Sequence, residues 1–144
     1  ALRNRLRQHF IRQDSSVVSY GRLDIWDIAS VRWWETSDTE RAEQALLAEF
    51  DPYLNFGSQS TQLSDTPIGV TDPDGEFMLA SEDELAYRAE PYNRSKQKLE
   101  HLLRMLDTIK LAGHSDDTKQ TLFEHQRIFR ENVGEFLDID PEFE

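Results

Sequence analysis

Two long amphipathic segments in the last third of the chain constrain its fold more than any other feature. Residues 93–111 place apolar side chains on one helical stripe, namely Leu99, Leu102, Leu103, Leu106 and Ile109. Residues 116–137 repeat the pattern with Leu122, Phe123, Ile128, Phe129, Val133 and Phe136. Apolar residues at this spacing predict helices that bury their stripes. Because the connection around Gly113 is short, we predict a helical hairpin with both stripes on its buried side.

The sequence does not show which surface the two apolar stripes pack against. Mixed charges around an apolar stripe are typical of helices that cover the core of their own domain. The alternative is an interface with a second copy of the chain or with a protein partner.

Charge is distributed unevenly along the 144 residues, which carry 16 Lys and Arg against 28 Asp and Glu. Residues 1–22 hold five arginines and one acid, a balance of +4, and residues 23–144 hold 11 basic and 27 acidic side chains, a balance of −16. A basic end on an acidic chain indicates that any contact with nucleic acid is confined to that end.

Composition excludes several classes of protein. No apolar run is long enough for a transmembrane helix, and no signal peptide opens the chain. The absence of cysteine excludes disulfides, thiolate metal sites and a thiol nucleophile. Fifteen aromatic residues argue against full disorder. We expect a cytoplasmic protein.

The first half of the chain predicts alternating helices and strands. Residues 2–13 have helical spacing, and residues 25–34 are rich in β-branched and aromatic side chains, which favours a strand. Ser37 and Glu40 form a capping-box pattern before a helix that Asp51 and Pro52 end.

The middle of the chain predicts a linker with small elements. Residues 55–66 are polar, and two short apolar runs, 68–70 and 77–79, flank a turn sequence ending at Gly75, which predicts a hairpin. Ser81 and Glu84 form a second capping-box pattern, before a short helix that ends near Pro91.

Four polar side chains carry the chemistry that the sequence predicts. Arg5 and His9 are four residues apart, so one helical face presents a guanidinium and an imidazole that suit a phosphate. Glu43 lies early in the capped helix, and Asn55 follows it by twelve residues. One carboxylate to hold Mg²⁺, an arginine and a base suffice for a phosphodiester hydrolase.

The sequences around these residues resemble those of GIY-YIG nucleases. Residues 1–10, ALRNRLRQHF, are similar to the first helix of that family, and residues 43–55, EQALLAEFDPYLN, are similar to its second helix and the Pro-x-x-Asn that follows. Residues 31–34 resemble its third strand. The resemblance covers residues 1–57. It implies an α/β fold, a small mixed sheet with flanking helices, here followed by the C-terminal helical hairpin.

The resemblance also implies a role for each residue. Arg5 contacts the phosphate, Glu43 is the metal ligand, Asn55 is the structural or active-site asparagine, and His9 is the accessory histidine. Beyond the resemblance, we expect Arg3, Arg7 and Arg12 to follow the DNA backbone. The implied cofactor is Mg²⁺ or Mn²⁺.

The strands that carry the GIY and YIG motifs of this family would lie immediately before Ala1 and are absent from the chain. Tyr20-Gly21 lies after the arginine helix and does not take their place. We therefore expect a sheet short of two strands, with an exposed edge and impaired catalysis.

Other interpretations of single residues remain open. Arg5 and His9 also fit a solvated helix face, Glu43 also fits an ordinary acid near a helix N-terminus, and Glu49 is a second candidate for the metal carboxylate. The other histidines, His101, His114 and His125, are expected to be isolated and solvated or partly buried. The three tryptophans are expected in the core, and the acids before Gly75 in a turn rather than a calcium site.

We therefore predict three segments: a nuclease-like core over 1–57, a linker with a hairpin and a short helix over 58–92, and the helical hairpin with an acidic tail over 93–144. The predicted function is metal-dependent hydrolysis of DNA. The alternative is a catalytically inactive nuclease-like or acidic helical protein that acts as an interaction module.

Overall fold

The computed structural model describes residues 2–7, 23–54, 69–112 and 115–142. In this part of the chain the helices are α1 (Leu2–Arg7), α2 (Thr39–Phe50), α3 (Glu82–Ala89), α4 (Pro91–Ala112) and α5 (Asp116–Leu137), with a 3-10 turn at Ile25–Asp27. The strands are β1 (Ser30–Trp33) and β2 (Gly75–Met78). The fold is mixed α/β and mostly helical, which confirms the α/β class in its coarse form. None of the helices described is long and apolar enough to cross a membrane.

Residue contacts divide the chain into two compact units. One comprises Ala1–Ala29 and Ala80–Glu144, and the other comprises Ser30–Leu79. These two divisions, at Ala29 and Ala80, do not coincide with the limits of the predicted segments 1–57, 58–92 and 93–144. The roles assigned to the three segments stay predictions.

The smaller unit contains a two-stranded antiparallel sheet. β1 pairs with β2 in a register that sets Val31 opposite Phe77 and Trp33 opposite Gly75. The glycine is required there, because a Cβ at this position would overlap the ring of Trp33. The predicted hairpin between 68–70 and 77–79 is therefore wrong, since β2 pairs with a strand more than 40 residues earlier. The turn sequence ending at Gly75 leads into β2 instead.

The predicted strand over 25–34 is correct only in its second half. Asp24 accepts a hydrogen bond from the backbone N–H of Trp26 at 3.1 Å, and this side-chain contact favours the 3-10 turn that follows. Extended pairing starts only at Ser30.

α2 begins one residue later than the capping-box pattern indicated. Asp38, and not Ser37, is the N-cap, and its Oδ1 accepts from the N–H of Arg41 at 3.1 Å. The predicted end is confirmed, because α2 stops at Phe50 and Asp51 adopts the left-handed conformation with φ of 41°. For the first predicted helix, 2–13, the structure describes only Leu2–Arg7.

The larger unit contains the predicted helical hairpin, formed by α4 and α5. Ser81 caps α3 as predicted, with Oγ accepting from the N–H of Glu84 at 3.2 Å. The carboxylate of Glu84 accepts from Arg88 at 2.9 Å, so it does not reach back to the cap as the pattern suggested. Ser115 caps α5.

The buried side of the hairpin matches the prediction only in part. Of the predicted stripes, Ile128 is buried, and five residues are half-buried: Leu102, Ile109, Leu122, Phe129 and Val133. Leu99, Leu103 and Leu106 are 57%, 62% and 53% exposed, and Phe123 and Phe136 are also exposed. The buried seam instead contains polar side chains together with Met105 and Ile128, which are the only fully buried apolar side chains in the described ranges. Those polar residues are Ser95, Lys98, His101, Thr118, Thr121 and His125. The seam therefore lies one helical position away from the leucine stripe.

Candidate functional site

Glu43 lies on α2, just past the first turn from the Asp38 cap, and its side chain is exposed. Its position near the helix N-terminus favours a carboxylate. Glu49, the second candidate, is exposed near the other end of the same helix. Both carboxylates are therefore accessible to a metal ion and to a large substrate.

The other predicted site residues lie in the first part of the chain or beyond α2. Arg3 and Arg7 are exposed on α1, and Arg5 belongs to the same helix. His9, Arg12 and Asn55 lie outside the described residues. α1 belongs to the larger unit and Glu43 to the smaller unit.

The described side chains do not form a preassembled metal site. Across 2–7, 23–54, 69–112 and 115–142, no group of three or more His, Asp or Glu side chains is arranged to hold an ion. Magnesium needs less, because it keeps several waters and binds through one or two carboxylates and the phosphates of the substrate. A single exposed carboxylate at Glu43 fits that mode of binding.

The smaller unit also contains a cavity of about 230 Å³ beside the first turns of α2. Arg41 and Asp74 line it with Trp34, whose indole Nε1 donates to the carbonyl of Thr71 at 2.9 Å. Asp74 accepts from the backbone N–H of Glu35 at 2.6 Å, so this carboxylate is already engaged in holding the loop. Glu43 is not among the lining residues.

The strongest electrostatic feature of the larger unit is a buried cluster around Lys98. Its Nζ donates to Asp24 at 2.9 Å, to Asp27 and to Nδ1 of His125 at 3.1 Å. Because an ammonium only donates hydrogen bonds, Nδ1 of His125 is the acceptor. Arg94 donates to the other oxygen of Asp27 at 2.9 Å. Two carboxylates are thus satisfied by one buried lysine and one half-buried arginine.

His101 extends this cluster along the seam. Its ring lies edge-on to that of His125, with the centroids 4.5 Å apart, and its buried Nε2 has no hydrogen-bond partner among the described residues. Burial lowers the pKa of His101 to about 4, against the opposing effect of Asp24. Burial alone would raise the pKa of Asp24, but the charge and hydrogen bond of Lys98 outweigh burial and hold that pKa below its usual value.

The expectation that His101 and His125 are isolated is therefore wrong, and His114 lies outside the described residues. The two imidazoles meet because Lys98, His101 and Met105 repeat at three- and four-residue spacing on α4, as do Thr118, Thr121 and His125 on α5. That spacing, parallel to the leucine stripe, was the available signal. The cluster is closed to solvent, so it ties the segment around Asp24 to α4 and α5 and offers no access to a substrate.

The tryptophans are half-buried, consistent with the expected core role. Trp26 packs against Tyr87 with ring centroids 6.2 Å apart, and the guanidinium of Arg88 lies 5.7 Å from its ring. Trp34 packs against Phe50 within the smaller unit.

No protein-family model, curated protein or solved structure matches this chain. The likeness to GIY-YIG nucleases accordingly stands on the sequence motifs at Arg5, Glu43 and Asn55.

Proposed function

We propose that the chain is a metal-dependent DNA endonuclease of the GIY-YIG type that hydrolyses phosphodiester bonds in the cytoplasm. The observation that carries the proposal is the ordered set of motifs, an arginine helix followed by a glutamate helix that runs into Pro-x-x-Asn. The placement of Glu43 on an exposed face of α2 adds support, and this helix ends at Phe50, two residues before Pro52.

The proposed chemistry assigns one task to each side chain. Glu43 holds the ion, Arg5 contacts the non-bridging oxygens of the phosphate, and His9 assists proton transfer to or from water or the leaving oxygen. Asn55 is the structural or active-site amide. Bound Mg²⁺ or Mn²⁺ supplies a Lewis acid that offsets charge on the phosphate and on the leaving oxygen.

DNA is proposed to bind through the arginine-rich start of the chain. Arg3 and Arg7 are exposed on α1 and are available to phosphates, and Arg12 completes the set. Contacts of this kind give affinity that depends on salt and not on base sequence. The balance of −16 over residues 23–144 repels the backbone elsewhere and so confines the contact to this end.

The proposal is tested by plasmid nicking with Mg²⁺ or Mn²⁺. We expect Glu43→Gln and Arg5→Ala to abolish cleavage, whereas Glu40→Gln, an exposed carboxylate one turn earlier on the same helix, leaves it intact. Circular dichroism checks that each variant is folded. Cleavage that persists in both Glu43→Gln and Arg5→Ala contradicts the proposal. Loss in Glu49→Gln with retention in Glu43→Gln moves the metal ligand to Glu49.

A second candidate function is a catalytically inactive interaction module. The observation that favours it is the set of large apolar side chains exposed on α4 and α5. A folded chain that binds DNA or protein but cleaves no plasmid with either metal supports this second function.

A further inference from the structure

The apolar surface of the α4–α5 hairpin has two different shapes. On α4, Leu99, Leu103 and Leu106 form a projecting row, which we call the leucine ridge. On α5, a groove of about 730 Å³ runs between the helix and the residues that follow it. We call this the α5 groove, and its apolar lining consists of Phe123, Phe129, Val133, Leu137, Ile139 and Pro141.

None of the residues that the structure describes covers either feature completely. Each leucine of the ridge is more than half exposed, and so is Phe123 in the groove. The seam between the two helices, in contrast, is mainly polar. Part of the apolar surface of the hairpin thus lies on the outside, where burying it gains free energy at roughly 25 cal/mol per Å².

We propose that two copies of this chain associate about a two-fold axis, with the leucine ridge of each copy seated in the α5 groove of the other. A two-fold interface requires that a chain carry a surface and its complement together. The convex ridge and the concave groove meet that requirement within one hairpin. This inference goes beyond the proposed nuclease function and does not depend on it.

Charge at the edges of the two features is complementary as well. Glu100 and Asp107 flank the leucine ridge, and Arg130 lines the α5 groove. Arg127 also lines the groove, but it already pairs with Glu124 and Glu131 of its own helix, so Arg130 carries the complementary charge. In the proposed dimer the carboxylates beside each ridge lie close to the partner's Arg130. Such rim charges contribute specificity and orientation, while the apolar contact supplies most of the affinity.

The size of the surface is sufficient for a dimer. The ridge, continued by Tyr92 seven residues before Leu99, and the groove expose six large apolar side chains at roughly half of their area or more: Tyr92, Leu99, Leu103, Leu106, Phe123 and Leu137. An aromatic side chain buries roughly 150–250 Å² in all, so these half-exposed groups offer on the order of 700 Å². A standard interface buries about 800 Å² from each partner.

Sedimentation equilibrium of the full chain tests this proposal across a roughly hundredfold range of concentration. We expect the mass to rise to twice that of one chain, and Leu103→Glu to raise the dissociation constant by roughly tenfold or more. The matched control is Leu111→Glu, since Leu111 is 86% exposed on the same helix but lies off the ridge. It should dimerise as the original chain does.

A second variant covers the possibility that Leu103→Glu does not fold. Arg130→Glu changes an exposed rim residue of the groove and should also weaken the dimer. Three results each overturn the proposal: a chain that stays monomeric at the highest concentration, a dimer that neither Leu103→Glu nor Arg130→Glu weakens, and a dimer that Leu111→Glu weakens equally.

Discussion

Lys98 and Asp24 form a buried ion pair across 74 residues of sequence, with Nζ 2.9 Å from Oδ2 and both side chains 1% exposed. Asp24 comes from the segment that leads into β1, and Lys98 comes from the middle of α4. The pair therefore makes the segment around Asp24 part of the hairpin's interior. Its cost in desolvation is offset only because Asp27 and His125 complete the hydrogen bonding of the ammonium.

Replacing Lys98 by methionine should destabilise the larger unit strongly. The change leaves Asp24 and part of Asp27 buried without their cation, which costs about 3–5 kcal/mol of unfolding free energy. Urea denaturation followed by circular dichroism measures this loss. Lys110→Met is the control, because Lys110 is exposed in the last turn of the same helix, and a change there stays within about 0.5 kcal/mol. Equal effects of the two substitutions would contradict a structural role for the cluster.

Stability should fall in mild acid because of His101. Its pKa in the folded chain is about 4, below the ordinary value of 6.5, so the unfolded chain binds more protons between these pH values. The part of the unfolding free energy that depends on neutral His101 is fully present above pH 6.5 and is lost as the pH falls towards 4. A pKa shift of this size corresponds to about 3 kcal/mol of unfolding free energy.

Unfolding free energies measured between pH 4 and 7 test this window. His101→Leu removes the titrating ring and should flatten the profile there. Below the ordinary pKa of Asp24, 3.8, protonation of that carboxyl adds a further loss, since its folded pKa is lowered. A profile of unchanged slope in His101→Leu assigns the pH dependence to other groups.

The N-terminus of α2 offers a test of which residue caps it. Asp38→Ala removes the acceptor for the N–H of Arg41 and should cost about 1 kcal/mol. Ser37→Ala should have little effect, although the sequence pattern favours Ser37 as the cap. Thermal unfolding of both variants measures the difference. A larger loss of stability in Ser37→Ala than in Asp38→Ala would identify Ser37 as the N-cap, as the capping-box pattern predicts.

DNA binding through the first helix predicts a specific salt dependence. Replacing Arg3, Arg7 and Arg12 by glutamine should reduce the slope of log affinity against log salt by about 0.9 for each phosphate that the chain no longer neutralises. Fluorescence anisotropy over a series of salt concentrations measures the slope. Arg32→Gln is the control, because Arg32 is exposed on β1 and pairs with Glu76 at 2.8 Å. If the triple variant shows the same slope as the original chain, the arginines of the first helix do not bind DNA.

The candidate nuclease residues show which structural features local sequence patterns can predict. Local patterns predicted that Glu43 lies on a helix and that this helix ends before Pro52, because caps and breakers act over a few residues. The same patterns missed the cluster of Lys98, Asp24 and His125. The spacing on α4 and α5 indicated only that these side chains share a helix face. Which faces meet, and which distant carboxylates join them, depends on contacts between residues tens of positions apart.

The amino-acid sequence by itself determined α2 to α5 of the described residues, their approximate limits and the pairing of α4 with α5. Helical periodicity and the short connection between two long helices are sufficient for that. Only the tertiary structure decided that β1 pairs with β2 and that the hairpin buries Lys98 and His101 while Leu103 faces outward. The periodicity of the apolar residues predicted that Leu103 lies on the buried side. The polar seam is stable because the carboxylates of a distant segment satisfy the buried lysine.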